Sequence, residues 1–119
     1  MIDETINLKN FIFSDVPIVN EWLRYVAEKT NWFYQPEDLN LWGKLYINCG
    51  DLSFSFTINR LAHSIGIYTN CYFNEEIAEI RYKSTKDVIG LCLKIGKKIK
   101  EMELVRKKKE LNSDFVLDD

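Results

Sequence analysis

Several residue types that build catalytic and metal sites are scarce in this 119-residue chain. It contains one histidine, His63, and three cysteines, Cys49, Cys71 and Cys92. A single histidine and the absence of closely spaced cysteine pairs argue against a zinc site. An odd number of cysteines argues against a disulfide framework, so we expect reduced core thiols and a cytoplasmic protein.

The motifs of common catalytic machineries are also missing. The chain has no Gly-rich phosphate loop, no GxSxG elbow and no HExxH sequence. His63 is the only histidine available as a general base, and the strand register derived below places it on an apolar inner face, distant from Cys71. We therefore predict that the protein is not an enzyme and uses no cofactor or metal.

Long apolar runs are absent. No stretch of about 18 apolar residues is present, and Met1 is followed by Asp3 and Glu4 rather than by a secretory signal. We therefore expect no membrane partner. The length and the apolar content of 46% fit one domain with a real core. We place this domain at residues 1–111 and an acidic tail at 112–119.

A regular alternation of apolar and polar residues between Lys44 and Lys83 dominates the sequence. This period of two is typical of half-buried strands. It predicts an α+β fold with a four-stranded antiparallel meander, whose strands lie at about 44–49, 52–59, 61–73 and 76–83. Short turns at Gly50-Asp51, Asn59-Arg60 and Asn74-Glu75 give the pairs Cys49–Leu52, Ile58–Leu61, Phe56–His63 and Tyr68–Arg81. Together these turns predict one consistent apolar inner face.

Two helices are predicted to pack on that inner face. Ser14-Asp15 followed by Pro17 starts a helix over about 16–30, and residues 6–13 are expected to form an extended lead-in. Ser84 or Thr85 starts a long helix over about 85–111. The core stripes are Val19, Trp22, Leu23 and Val26 on the first helix and Val88, Leu91, Cys92, Ile95, Ile99 and Met102 on the second. A further stripe, which either meets the first helix or self-associates, contains Ile89, Leu93, Gly96, Leu104 and Leu111.

The outer face of the predicted sheet is rich in Tyr, Ser, Asn and Thr. A polar solvated surface explains this composition without any function. Tyrosines surrounded by short hydrogen-bonding groups are also typical of adaptable contact surfaces. The candidate contact residues on this face are Tyr46, Tyr68, Tyr72 and Arg81, of which Tyr68 and Arg81 are predicted to be cross-strand neighbours.

The connector from Asn31 to Gly43 is dense in aromatic residues. Its Trp32, Tyr34 and Trp42 either close one end of the core or anchor a partner, because Trp and Tyr are enriched at interface hot spots. The sequence leaves both interpretations open.

Charge is unevenly distributed although the net charge is only −2. Residues 1–80 hold 11 acidic and 5 basic side chains, whereas residues 81–113 hold 11 basic and 4 acidic ones. A basic patch is predicted at the end of the last helix, formed by Arg106, Lys107, Lys108 and Lys109. It is either a solvated helix end or a contact for phosphates or an acidic protein.

Three hypotheses of function follow. The first is a small non-enzymatic binding protein that occludes a macromolecular partner, of the inhibitor, immunity or phage anti-defence type, with a protein as partner. The second is a nucleic-acid-binding regulator that uses the sheet tyrosines and the basic helix. The third is an assembly protein that dimerises through the second stripe or through the strand edge at Lys44.

Overall fold

The computed structural model describes residues 2–12, 14–37, 42–59, 62, 64–71 and 80–117. A four-stranded antiparallel sheet in the order β1-β2-β3-β4 is covered on one face by helices, so the α+β prediction is confirmed. The elements in chain order are α1 (Leu8–Ile12), α2 (Val16–Thr30), β1 (Phe33–Gln35), β2 (Trp42–Cys49), β3 (Leu52–Asn59), β4 (Ser64–Thr69), a 3-10 turn (Ile80–Tyr82) and α3 (Thr85–Leu117).

The fourth strand of the sheet is not the one that the sequence predicts. Of the predicted strand 76–83, the described part contains the 3-10 turn at Ile80–Tyr82. The sheet instead gains β1, which pairs with β2 through Phe33 opposite Tyr46 and Gln35 opposite Lys44. The strand edge at Lys44, predicted to be open for dimerisation, is therefore occupied. A three-residue strand is too short to reveal itself by alternation.

The register of the first hairpin is confirmed, because Cys49 lies opposite Leu52 across the Gly50 turn. The next connection is longer than predicted. Ile58 lies opposite Ile65 rather than Leu61, and Leu61 and His63 fall outside the described residues. The shift is four residues, an even number, so the assignment of residues to inner and outer faces survives.

The predicted helical stripes form the core. Val19, Leu23 and Val26 of α2 are fully buried, as are Cys92 and Ile95 of α3. They pack against the inner sheet residues, of which Leu45, Ile47, Phe54, Phe56 and Ile58 are buried. Because α2 and α3 share this inner side, neither of these two helices covers the opposite side of the sheet.

The start of α3 is fixed by a buried polar contact. The Thr85 hydroxyl accepts a hydrogen bond from the Trp22 indole (Nε1 to Oγ1, 3.1 Å) and donates one to the Ile6 carbonyl at 3.1 Å. The Ser84 hydroxyl accepts a capping bond from the Asp87 amide at 3.2 Å, as predicted. These bonds join the N-terminal segment, α2 and α3.

Both ends of the helical prediction need correction. The expected extended lead-in contains the short helix α1. The last helix continues past residue 111 to Leu117, through most of the segment predicted as an acidic tail. At 1.5 Å per residue α3 is about 50 Å long, which accounts for the longest molecular dimension of 61 Å. Within the described residues, no helix has both the length and the apolar character needed to cross a bilayer.

Candidate functional site

The side of the sheet that faces away from α2 and α3 carries a row of residues aligned across all four strands. Phe33 of β1 lies opposite Tyr46 of β2, Tyr46 lies opposite Ser55 of β3, and Ser55 lies opposite Tyr68 of β4. Directly paired residues point to the same side of a sheet. We call this line of four residues the aromatic row.

The aromatic row is open to solvent at both ends. Phe33 is 59% exposed and Tyr68 is 57% exposed, and Trp42, on the same face of β2, is 42% exposed. The rings of Phe33 and Tyr46 stack with centroids 5.6 Å apart and an interplanar angle of 28°. The ammonium group of Lys44 lies 4.9 Å from the Tyr46 ring centroid, a cation–π geometry.

The ring of Tyr68 lies against the glycine two residues before it. A Cβ atom at Gly66 would lie 2.8 Å from Cε2 of Tyr68 and 3.1 Å from its hydroxyl oxygen. The ring therefore covers the Gly66 backbone, an arrangement in which an aromatic side chain shields a glycine near a sheet edge. Any larger side chain at residue 66 would require the Tyr68 ring to move.

The charge of this face is low and positive. None of its described strand residues is acidic, and Lys44 is its one cation. These residues are Phe33, Gln35, Trp42, Lys44, Tyr46, Asn48, Ser53, Ser55, Thr57, Asn59, Ser64, Gly66 and Tyr68. Hydroxyl and amide groups around exposed aromatic rings suit a contact that combines apolar burial with adaptable hydrogen bonds.

The predicted contact residues are distributed over several environments. Tyr46, Tyr68 and Trp42 lie on the uncovered face as described above. Trp32 is 4% exposed and belongs to the core, where it stacks on Phe56 with ring centroids 5.8 Å apart.

Two of the predicted contacts have different surroundings from those expected. The Tyr34 hydroxyl accepts a hydrogen bond from Nε of Arg24 at 3.2 Å. The predicted pairing of Tyr68 with Arg81 is wrong, because Arg81 lies in the 3-10 turn and β4 pairs with β3 alone among the described strands. Tyr72 lies outside the described residues.

Phe33 is the residue that the sequence interpretation missed. It falls in the connector at 31–43, where it belongs to β1, a strand of only three residues. The sequence Phe33-Tyr34-Gln35 shows no alternation of apolar and polar residues, and three residues are too few to predict a strand. The exposed, half-buried, exposed pattern of these residues is known only from the structure.

The basic patch is less uniform than predicted. Arg106 forms a two-point contact with the Glu103 carboxylate, with Nε–Oε2 and Nη2–Oε1 distances of 3.0 and 2.7 Å. It also lies 3.6 Å from Asp51 in the β2–β3 turn. These hydrogen bonds, with the charge of Arg106, hold the pKa of Glu103 below its usual value despite burial. Arg106 therefore links α3 to the β2–β3 hairpin through its ion pair with Asp51. Lys107, Lys108 and Lys109 are exposed.

The cysteines and the potential metal ligands are the remaining groups of the described residues to consider. The three cysteines are free, and burial raises the pKa of the Cys92 thiol. No cluster of His, Cys, Asp or Glu within the described ranges is arranged to hold a metal ion. Comparison with protein-family models, curated proteins and solved structures finds no match to this chain.

Proposed function

We propose that this protein is a small binding protein whose uncovered sheet face occludes a site on a protein partner. The observation that supports this proposal is the alignment of Phe33, Tyr46 and Tyr68 across four strands on a face without described acidic residues. Exposed rings clustered on one face are what a partner would desolvate, and aromatic residues dominate the binding energy of such contacts.

Three features of the face favour protein over nucleic acid as its partner. Among the described strand residues of this face Lys44 is the single cation, so these strands offer little positive charge to neutralise a nucleic-acid backbone. The rings of Phe33 and Tyr46 stack on each other, so each covers part of the ring surface on which a base would otherwise stack. Serine, threonine and asparagine groups match the mixed donors and acceptors of a protein surface.

The size of the face limits what it can do alone. Strands of eight residues are about 26 Å long, and four strands about 4.8 Å apart give a face on the order of 400 Å². Stable complexes bury about 800 Å² on each partner. We therefore expect the partner to contact surface beyond the strands, in the loops next to them, as well as the sheet face.

The test compares three forms of the protein in partner capture. Phe33→Ser/Tyr68→Ser removes both exposed ends of the aromatic row, and Ile18→Ser removes a comparably exposed apolar side chain from α2, on the other side of the domain. A true partner is captured by the wild type and by Ile18→Ser but not by the double variant. With the purified partner, the double variant should bind at least about 30-fold more weakly, the consequence of losing one hot spot of about 2 kcal/mol.

Occlusion is tested separately from binding. The activity of the purified partner should fall in proportion to the added wild-type protein and reach its minimum at a fixed stoichiometry. Equal capture by the wild type and by the double variant would refute the assignment of the face. Binding without any effect on partner activity would refute the inhibitory function and leave a binding protein only.

A further inference from the structure

The outward side of α3 carries a dense row of lysines. Of the α3 side chains that the structure describes, seven lysines are exposed, namely Lys86, Lys94, Lys97, Lys100, Lys107, Lys108 and Lys109. The exposed acidic residues of the same helix within the described part are Asp87 and Glu101. This surface, which we call the lysine row, therefore has an excess of positive charge.

The lysine row is long and separate from the sheet face. Lys86 and Lys109 are 23 positions apart, about 35 Å along a helix axis at 1.5 Å per residue. The opposite side of the helix is buried through Val88, Cys92 and Ile99, which pack towards the sheet. Consequently the lysine row and the aromatic row lie on opposite sides of the domain.

Two exposed leucines lie among these lysines. Gly96 of the second predicted stripe is buried, but its Leu93 and Leu104 are 50% and 60% exposed and face solvent. Lys97 and Lys100 lie between them on the same side of the helix. Pairing of this stripe with its copy in a second chain would bring lysines against lysines, and this disfavours self-association.

The leucines also provide too little apolar surface for anchoring in a bilayer. Even a complete myristoyl chain gives only marginal membrane binding, with an association constant of about 10⁴ M⁻¹. Leu93, Leu104 and Val105, which is 53% exposed on the same helix, together offer less apolar surface than such a chain. The dominant chemistry of the row is thus its charge, and the occupant that fits best is a regular polyanion.

We propose that the lysine row binds the phosphate backbone of nucleic acid without base preference. At 100° per residue, Lys86, Lys97, Lys100 and Lys108 lie within about 80° of one another around the helix. They therefore present positive charge along one side of α3, where they can neutralise phosphates and release their counterions. The acidic excess of residues 1–80 would orient the domain so that α3 faces the polyanion. This activity is independent of the occluding function proposed for the sheet face, since the two surfaces share no residue.

The test uses fluorescence anisotropy with a labelled oligothymidine of about 30 nucleotides, titrated with the full chain at several salt concentrations. Wild-type affinity should fall on the order of 100-fold between about 50 and 200 mM salt if about five phosphates are contacted. Lys97→Glu/Lys100→Glu should bind at least about tenfold more weakly at low salt, with a shallower salt dependence. Lys97→Arg/Lys100→Arg keeps the charge and should bind like the wild type.

Controls separate this proposal from its alternatives. Phe33→Ser/Tyr68→Ser should retain full oligothymidine binding, and a loss would move the contact to the sheet face and overturn the assignment. Absence of wild-type binding up to about 100 µM at low salt, or equal binding by the Glu variant, would also overturn it. Binding to vesicles containing phosphatidylserine, without binding to oligothymidine, would replace nucleic acid by a membrane surface. Thermal unfolding of each variant by circular dichroism verifies that it is folded.

Discussion

Two glycines in α3 offer a matched test of how closely this helix approaches the sheet. Gly90 is exposed, and a Cβ atom at its position would meet nothing within 4 Å. Gly96 is buried, and a Cβ atom there would lie 3.3 Å from the indole nitrogen of Trp32 and 3.4 Å from Cδ1 of Ile47. Both glycines lie in the helix interior, so the helical contribution of an added methyl group is the same.

The expected effects of Gly90→Ala and Gly96→Ala differ in sign or size. Alanine is favoured over glycine in a helix interior by about 0.8–1 kcal/mol, and Gly90→Ala should gain most of it. Gly96→Ala has the same gain, but overpacking of a closely packed core costs about 1–3 kcal/mol. We expect Gly90→Ala to raise the free energy of unfolding by about 0.8 kcal/mol. The free energy of unfolding of Gly96→Ala should be at least about 1 kcal/mol lower than that of Gly90→Ala.

Urea unfolding followed by far-ultraviolet circular dichroism measures both differences. The stabilisation by Gly90→Ala corresponds to a rise in Tm of about 3–5 °C for a chain of this size. An unchanged m-value would show that the denatured state is unaffected. If Gly96→Ala stabilises the protein as much as Gly90→Ala, α3 does not approach Trp32 and Ile47 closely, and the packing described above is refuted.

Three further predictions concern other parts of the fold. Gly66→Ala should displace the Tyr68 ring, because a Cβ atom would lie 2.8 Å from Cε2, and should weaken partner binding while the free energy of unfolding changes by less than about 1 kcal/mol. Retention of full partner binding by this variant would mean that the position of the ring is irrelevant. Arg106 lowers the pKa of Glu103 in the folded protein. The ionised carboxylate should therefore stabilise the fold at pH values above its unfolded-state pKa of about 4.3, and this stabilisation should disappear as the pH falls through the lower folded-state pKa. Glu103→Gln should therefore show a smaller decrease in urea midpoint between about pH 5 and 3, and an unchanged acid limb would contradict this account. Cys92 is fully buried, so a thiol reagent should modify it at the rate of unfolding, after the two half-buried cysteines, and immediate reaction of all three would contradict its burial.

Residue periodicity along the chain was sufficient to predict the main elements and the core. The stripe of Val19, Trp22, Leu23 and Val26 and the alternation from Leu52 to Asn59 each repeat long enough to distinguish a helix from a strand. The same alternation assigned Tyr46 and Tyr68 to the outer face. That assignment survived a four-residue error in register, because side chains in a strand alternate with a period of two.

The candidate site was only partly predictable, because periodicity gives the direction of a side chain but not its neighbours on other elements. Exposed tyrosines on a solvated face could be identified from alternation, but their alignment with Phe33 required strand pairing between segments with no sequence signal for it. Arg106 was interpreted as part of a free basic end because its contact with Asp51 joins residues that are distant in the sequence. The exposure of Leu93 and Leu104 depended in turn on where α2 lies against α3.

The sequence by itself determined the α+β class, the two main helices, the central hairpin and which residues face inwards, since these depend on local periodicity and short turns. Tertiary structure alone decided that β1 completes the sheet, that Trp32 is core, and that the aromatic row and the lysine row lie on opposite sides. Each of these depends on contacts between residues far apart in the chain. Local patterns constrain the direction of a side chain, but only packing selects its neighbours.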